Sequence, residues 1–190
     1  MALDLHKSSG CTLNLKKVAP SLVKMTARAS WKEHPVNKSS YKDGFDIDLF
    51  GFVLGDDGKI RTDSDVIYFN NSTYGDQAIF LPEDVRAGGT EEMAFDLSKI
   101  NDTKRVDLYV TIFECDERHQ NFGMMSESTF ELINSETGEV LEKYTLSEEY
   151  ASDTALHVGS LLKTDEGWVW RAEGIGAPAS QGQIYMLYKK

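Results

Sequence analysis

The chain has 190 residues, of which 41% are hydrophobic and 11% aromatic, a composition that is too apolar for a disordered tail. Its 31 acidic residues outnumber its 20 lysines and arginines, and the net charge of −11 argues against non-specific binding to nucleic acid or to an anionic membrane. This charge suits a protein that binds cations or soluble partners. The length predicts one domain over residues 1–190.

Cysteine use and hydropathy indicate the compartment. The two cysteines, Cys11 and Cys115, are far apart and form no CxxC pair, so neither a disulfide framework nor a cysteine zinc site is indicated. The N-terminal segment MALDLHKSSG lacks the apolar stretch of an export signal, and no apolar run is long enough to span a membrane. We therefore expect a cytoplasmic protein without membrane insertion.

Short runs rich in Val, Ile, Thr, Tyr and Phe recur along the whole chain, separated by turn residues. In chain order, the predicted strands are 12–15, 22–31, 45–54, 65–70, 77–81, 92–97, 105–114, 128–134, 140–146, 155–163, 167–173 and 183–190. Segments 56–59 and 136–139 are predicted hairpin turns because each contains a glycine suited to positive φ, and 115–121 is a predicted short surface helix. The pattern predicts an all-β sandwich of two mostly antiparallel sheets with short helical turns.

The segment GFDIDLFGFVL places two acids within a predicted strand. Side chains alternate between the faces of a strand, so Asp46 and Asp48 share one face while Phe45, Ile47 and Leu49 share the other. Like charges on one face repel each other, and strand interiors disfavour Asp. A bound cation would neutralise the pair.

Calcium takes six to eight oxygen ligands, which a β-sandwich supplies mainly from loops gathered at one end. The other candidate ligands lie in or beside the predicted loops: Asn70, Asn71, Asp84, Glu91 and Glu92. For a single acid in so acidic a chain, the ordinary role is a solvated surface position. The segment GDDGKIRTDSD lacks the ligand spacing of an EF-hand, so its Asp-Gly is a turn.

Evidence for an enzyme is sparse. Cys115 and His119 are spaced to share one helical turn, as a thiolate–imidazolium pair would, but no third orienting group accompanies them. The phosphate-cradling patterns GxxxxGK[ST] and GxGxxG are both missing from the sequence. Trp168 and Trp170 share a face of the segment GWVWRAE, and core packing is their more common use.

Several motifs occur in the order found in the TerD-like tellurium-resistance and stress-response family. The segment FDIDLFGFVLGDDGKIRTDSDVIYFNN resembles that family's Asp-x-Asp strand, Gly-Lys turn, Asp-rich loop and Asn-Asn pair. Further similar segments are TLNLKKVAPSL at 12–22, VTIFECDERHQNFG at 110–123, ETGEVLEKYTLSEEYASDTALHVGSL at 136–161 and GWVWRAEGIG at 167–176. The resemblance covers nearly the whole chain.

The resemblance implies a calcium-binding β-sandwich, usually with two ions and without established catalytic activity. The family's Asp-x-Asp corresponds to Asp46 and Asp48, and its Asn-Asn to Asn70 and Asn71. The segment 82–92 is shorter than the family's acidic loop and has fewer acids, with Asp84 and Glu91 as candidate replacements. One of the two ion sites is therefore expected to be weak, rebuilt or absent.

The expected function is that of a calcium-binding stress-response protein that acts by ion binding and by assembly with other stress-response or tellurium-resistance proteins. The alternatives are a metal-free interaction module with a degenerate ion site and, less favoured, a metal-assisted hydrolase. The hydrolase lacks an identifiable base and a phosphate-binding loop.

Overall fold

The computed structural model describes residues 3–4, 12–33, 44–82 and 89–190. Within these ranges the strands form two sheets. The strands of sheet 1 are β1 (Leu3–Asp4), β3 (Lys24–Glu33), β6 (Thr73–Tyr74), β7 (Ile79–Phe80), β8 (Gly89–Asp96), β10 (Met125–Asn134) and β11 (Val140–Thr145). The strands of sheet 2 are β2 (Thr12–Asn14), β4 (Ile47–Leu54), β5 (Val66–Ile67), β9 (Arg105–Ile112), β12 (Ala155–Thr164) and β13 (Gly167–Ala177).

Short helical segments connect these strands. The α-helices are α1 (Leu15–Val18), α2 (Cys115–Arg118), α3 (Leu146–Glu149) and α4 (Gln181–Tyr188), and 3₁₀ turns cover Asp63–Asp65 and Phe122–Met124. No helix among the described residues is both long enough and apolar enough to span a membrane.

Strand pairing is antiparallel throughout the described residues except between β1 and β11. Sheet 1 has the order β1-β11-β10-β3-β8-β7-β6, and sheet 2 has the order β2-β13-β12-β9-β4-β5. The prediction of an all-β sandwich with short helical turns is confirmed. The interrupted hydrophobic runs favour this arrangement because each strand can bury one face against the opposite sheet.

The main core lies between the two sheets and follows the alternation of each strand. In β4, Ile47, Leu49 and Val53 point into this core together with the preceding Phe45. Trp170 of β13 is fully buried in the same core, and Trp168 packs against it, as predicted from their shared face. Gly159 permits this packing, because a Cβ there would lie only 2.2 Å from a ring carbon of Trp170.

A second apolar cluster lies on the outer face of sheet 2. Its members, which we call the outer cluster, are Phe50, Phe52, Leu54, Ile60, Val66, Tyr109, Ala155, Ile184 and Tyr188. Ile184 and Tyr188 belong to α4, so this helix covers the outer face of the sheet. The alternate residues of β4 are therefore buried as well, and the whole strand is excluded from water.

Two sequence predictions about individual elements were wrong. Residues 183–190 were predicted as a strand, but the structure has α4 there, begun by a capping box in which Ser180 and Gln183 bond each other's backbone N–H groups. Residues 65–70 were predicted as one strand, but β5 ends at Ile67 and the chain then turns back between Tyr68 and Asn71. The predicted hairpin turns and the short helix at α2 are present.

Candidate functional site

The two acids of the Asp-x-Asp segment lie on the outer face of sheet 2, at the start of β4. Both residues are buried, with Asp46 7% and Asp48 2% exposed to solvent. The backbone carbonyl of Asp46 accepts a hydrogen bond from the N–H of Phe113, and Asp48 lies opposite Thr111 of β9. The predicted shared face is therefore present, and it is buried.

Helix α4 contacts this site through its first residue. The side-chain amide of Gln181 donates from Nε2 to Asp48 Oδ2 and, at 3.0 Å, to the hydroxyl of Thr111. The N-cap Ser180 holds the start of α4 in place by accepting from the N–H of Gln183. The buried carboxylate of Asp48 is thus tied to the same helix that covers the outer cluster.

Glu91 reaches the same strand from the opposite sheet. Its side chain is 1% exposed, and its Oε2 accepts from the backbone N–H of Leu49 at 2.5 Å. The backbone N–H of Leu49 thereby gains an acceptor in the part of β4 where β5 is not paired, since β5 pairs only with Gly51 and Phe52. The structure therefore brings Asp46, Asp48 and Glu91 to one short segment of backbone.

The other predicted ligands are placed differently. Glu92 faces the outer side of sheet 1 and pairs with Arg28 at 2.6 Å. Asn71 donates from Nδ2 to the carbonyls of Val66 and Ser64, which fixes the turn after β5, and Asn70 is exposed in that turn. Asp84 lies outside the described residues. Within the described ranges, no three His, Cys, Asp or Glu side chains form a group that could hold a metal ion.

A buried polar cluster on the same outer face was missed by the sequence analysis. Asp107 of β9 is fully buried and accepts two hydrogen bonds from Arg105, at 2.8 and 2.7 Å. It also accepts from the hydroxyls of Ser160 and Tyr188, each at 2.7 Å. Tyr188 lies in the last turn of α4, so Asp107 anchors the end of that helix as Asp48 anchors its start.

The electrostatics of this cluster favour an ionised Asp107. Burial alone would raise the pKa of its carboxyl, but the hydrogen bonds from Arg105, Ser160 and Tyr188 hold the pKa below its ordinary value. The pKa of His157 is lowered, chiefly by burial, although Asp107 is only 3.9 Å from its Nε2. His157 is therefore neutral at pH 7 and stacks on Tyr109 with 4.5 Å between ring centroids.

Two arrangements that resemble catalytic groups do not have the geometry of one. The Ser160 hydroxyl donates to Asp107 directly, whereas in a serine-nucleophile triad the histidine would lie between them. Cys115 is buried, and burial raises the pKa of its thiol, which opposes the thiolate that a Cys115–His119 pair would need. Ser160 therefore serves as a hydrogen-bond donor to Asp107, and Cys115 as a buried side chain of the core.

Comparison with known proteins identifies the family. The model of the TerD domain matches residues 1–188. The chain belongs to the TerD family. The tellurium resistance protein TerD of Serratia marcescens is 30% identical over 98% of this chain and 97% of its own length. General stress protein 16U of Bacillus subtilis (strain 168) is 29% identical over 99% of this chain and 97% of its own length.

A solved structure of a TerD homologue from Streptomyces coelicolor A3(2) has the same fold. The two superpose with a TM-score of 0.72 over 87% of this chain and 96% of that chain, at 21% sequence identity. The resemblance noted from the motifs is therefore confirmed over the whole TerD domain. The chain is therefore a member of a tellurium-resistance and stress-response family and has a β-sandwich fold.

Proposed function

We propose that this TerD-family chain binds Ca²⁺ and acts in stress response through ion binding and assembly with partner proteins, without catalysis. The observation that carries the proposal is the pair of buried acids, Asp46 and Asp48, on one face of β4. Buried carboxylates are costly unless a cation or hydrogen-bond donors compensate their charge. The acidic net charge of the chain also favours cation binding.

The chemistry of the donors fits a hard cation. Asp46 and Asp48 supply carboxylate oxygens, Thr111 supplies a hydroxyl beside Asp48, and Gln181 supplies an amide. Calcium prefers such oxygen ligands, whereas zinc sites use mainly Cys and His. Rotating the Gln181 amide by half a turn would present Oε1 to the same place that Nε2 now occupies. Asp84, Glu91, Asn70 and Asn71 remain predicted ligands of the same or a second ion.

In this mechanism the residues of the site link the ion to α4. Bound Ca²⁺ would neutralise the repulsion between Asp46 and Asp48. Gln181 would then hold the first turn of α4 against β4, while Tyr188 holds its last turn on Asp107. The ion would thus stabilise the helix that covers the outer cluster, and ligand bound only to the native state raises stability by mass action.

Helix α4 also offers the surface for assembly. Its outward residues Met186 and Leu187 are 64% and 60% exposed, although both are apolar. Exposed apolar side chains that lie together are typical of protein interaction sites. We propose that partner proteins of the stress response dock on this helix, in the cytoplasm, where the free thiol of the buried Cys115 is stable.

The ion site is tested by replacing both acids. We expect the Asp46→Asn/Asp48→Asn double variant to bind Ca²⁺ at least about tenfold more weakly, because carboxylate count sets the affinity of calcium sites. The measurement is isothermal titration calorimetry on chelator-treated protein.

The matched control is Asp165→Asn/Glu166→Gln, which removes two exposed acids from the turn between β12 and β13. This turn lies at the opposite end of sheet 2, because Leu162 pairs with Arg105 whereas Ala155 pairs with Thr111. The control should bind Ca²⁺ as the wild type does. Equal affinity in the wild type and in the Asp46/Asp48 double variant would refute the site.

A metal-free interaction module is the second candidate. One observation that favours it is the side-chain amide of Gln181, which already donates from Nε2 to Asp48. The other is the lack of a three-residue metal cluster among residues 12–33, 44–82 and 89–190. In that case α4 would be docked fully without calcium. Amide exchange of α4 that is equal with calcium and with chelator would favour this module over the ion-binding protein.

A further inference from the structure

A cavity of about 300 Å³ lies beside the first turn of α4, and the proposed ion function does not account for it. The residues that line it include Phe50, Asp63, Tyr68, Phe69, Gln181 and Tyr185. The volume is at the lower end of the range for small-molecule sites. Four of its eight lining residues are aromatic, and we call this aromatic lining the cage.

The rings of the cage are fixed against one another. Phe50 and Tyr68 stack with centroids 5.2 Å apart, and Tyr68 meets Phe69 edge-on at 5.1 Å. The hydroxyl of Tyr185 donates to Asp63 at 2.6 Å, which ties the ring on α4 to the 3₁₀ turn before β5. The cage is therefore preformed, and a ligand would not have to order it.

Charge indicates what kind of ligand the cage suits. Asp63 places a carboxylate at the cavity, and a second acid, Asp48, lies one hydrogen bond behind Gln181. The exposed Lys189 ammonium lies 5.2 Å from the centroid of the Tyr185 ring and interacts with Asp63, so both groups attract cations, and a ligand ammonium would take the place of this lysine. An anion would be repelled by these carboxylates and by the net charge of −11.

We propose that this cavity binds an alkylammonium group, with the aromatic rings around its methyl or methylene groups and Asp63 beside its charge. Aromatic rings attract such cations through their negative faces, and the apolar surface of the alkyl groups adds hydrophobic contact. Two sources share this chemistry: a free alkylammonium compound and a methylated lysine side chain of a partner protein. The site does not require calcium.

The test compares a cation with a neutral molecule of the same shape. Choline and 3,3-dimethyl-1-butanol are titrated into the full chain, and binding is followed by NMR of the residues around the cavity. We expect saturable binding of choline and about tenfold weaker binding of the alcohol, because only choline has the charge that the rings and Asp63 attract. Equal binding of both molecules would overturn the proposal.

Variants separate the contributions of the ring and the carboxylate. Tyr185→Leu should weaken choline binding about fivefold or more, whereas Tyr185→Phe, which keeps the ring, should weaken it much less. Asp63→Asn should weaken it about threefold, and because the amide oxygen of Asn can still accept from the Tyr185 hydroxyl, this variant removes the charge and keeps the contact. Asp165→Asn is the control and should have no effect. Unchanged binding in both Tyr185→Leu and Asp63→Asn would contradict the assignment.

Two further arms identify the source and separate this site from the ion site. Tighter binding of a trimethyl-lysine peptide than of choline, with no binding of the unmodified peptide, would identify a protein ligand. Binding of choline without binding of the peptide would identify a free compound. All titrations are repeated with chelator and with Ca²⁺, and choline binding that persists in chelator shows that this site stands even if the calcium proposal fails.

Discussion

Replacing Asp107 by Asn is expected to lower the free energy of unfolding by about 3 kcal/mol, because breaking a buried, hydrogen-bonded ion pair leaves its partners unsatisfied. Each carboxylate oxygen of Asp107 accepts two hydrogen bonds, one from Arg105 and one from either Ser160 or Tyr188. An amide nitrogen in place of either oxygen would face two donors. Denaturant unfolding at pH 7 measures the loss.

Amide exchange shows which part of the fold loses stability when Asp107 is replaced. Amide exchange of α4 should accelerate in Asp107→Asn, since a neutral amide is a weaker acceptor than the carboxylate that now binds the Tyr188 hydroxyl. The control is Tyr188→Phe, which removes one donor and leaves the ion pair, and we expect it to cost about 1 kcal/mol. If α4 exchanges at the wild-type rate in Asp107→Asn, this carboxylate does not anchor the helix.

The second large effect concerns Glu142 and depends on pH. This residue of β11 is fully buried in the main core, where its Oε2 accepts from Trp170 Nε1. Among the described residues no donor meets its Oε1 at ordinary hydrogen-bond geometry, and the nearby Tyr144 hydroxyl offsets the effect of burial on the pKa only in part. Burial raises the pKa of Glu142 to about 7, so an ionised carboxylate is unfavourable in the fold.

The direction of the pH effect follows from this raised pKa. A folded-state pKa above the unfolded value of 4.5 means that stability is complete below pH 4.5 and is lost as the pH rises through 7. The Glu142→Gln variant cannot ionise, so we expect it to be more stable than the wild type by about 2 kcal/mol at pH 8, and by much less at pH 5.

Denaturant unfolding at both pH values tests this difference, with the exposed Glu136→Gln as the control. A difference between Glu142→Gln and the wild type that is the same at pH 5 and pH 8 would show that Glu142 does not titrate in the fold.

The sequence predicted the sandwich because its strands carry their own signals. Runs such as 45–54 and 105–114 are rich in β-branched and aromatic residues and end in turn residues, and each contains an observed strand, β4 or β9. Helix α4 was missed because the segment QIYMLYKK is equally rich in residues that favour strands. The signal that could have identified it is Ser180 followed by Gln183, the pattern of a capping box.

The site could be predicted only in part, because its contacts are distant in sequence. The Asp46/Asp48 pair is visible within one strand, but Gln181 lies 133 positions from Asp48. Similarly, Asp107 is the only acid in strand β9, so no paired acids mark it in the sequence, and its partners Ser160 and Tyr188 are 53 and 81 positions away. Pattern within a segment predicts which face a side chain takes, whereas the partner on that face is decided by sheet order and by the path of α4.

Thermal unfolding with added calcium is the measurement that shows whether Asp46 and Asp48 hold Ca²⁺, as proposed. Chelator-treated protein is unfolded in increasing Ca²⁺, with Mg²⁺ as the control ion. A ligand that binds only the native state should add about 2.7 kcal/mol of stability at a hundredfold excess over its dissociation constant. If the two acids hold the ion, Tm rises with Ca²⁺ but not with Mg²⁺, and the Asp46→Asn/Asp48→Asn variant lacks this rise. An unchanged Tm in the wild type would exclude the calcium site.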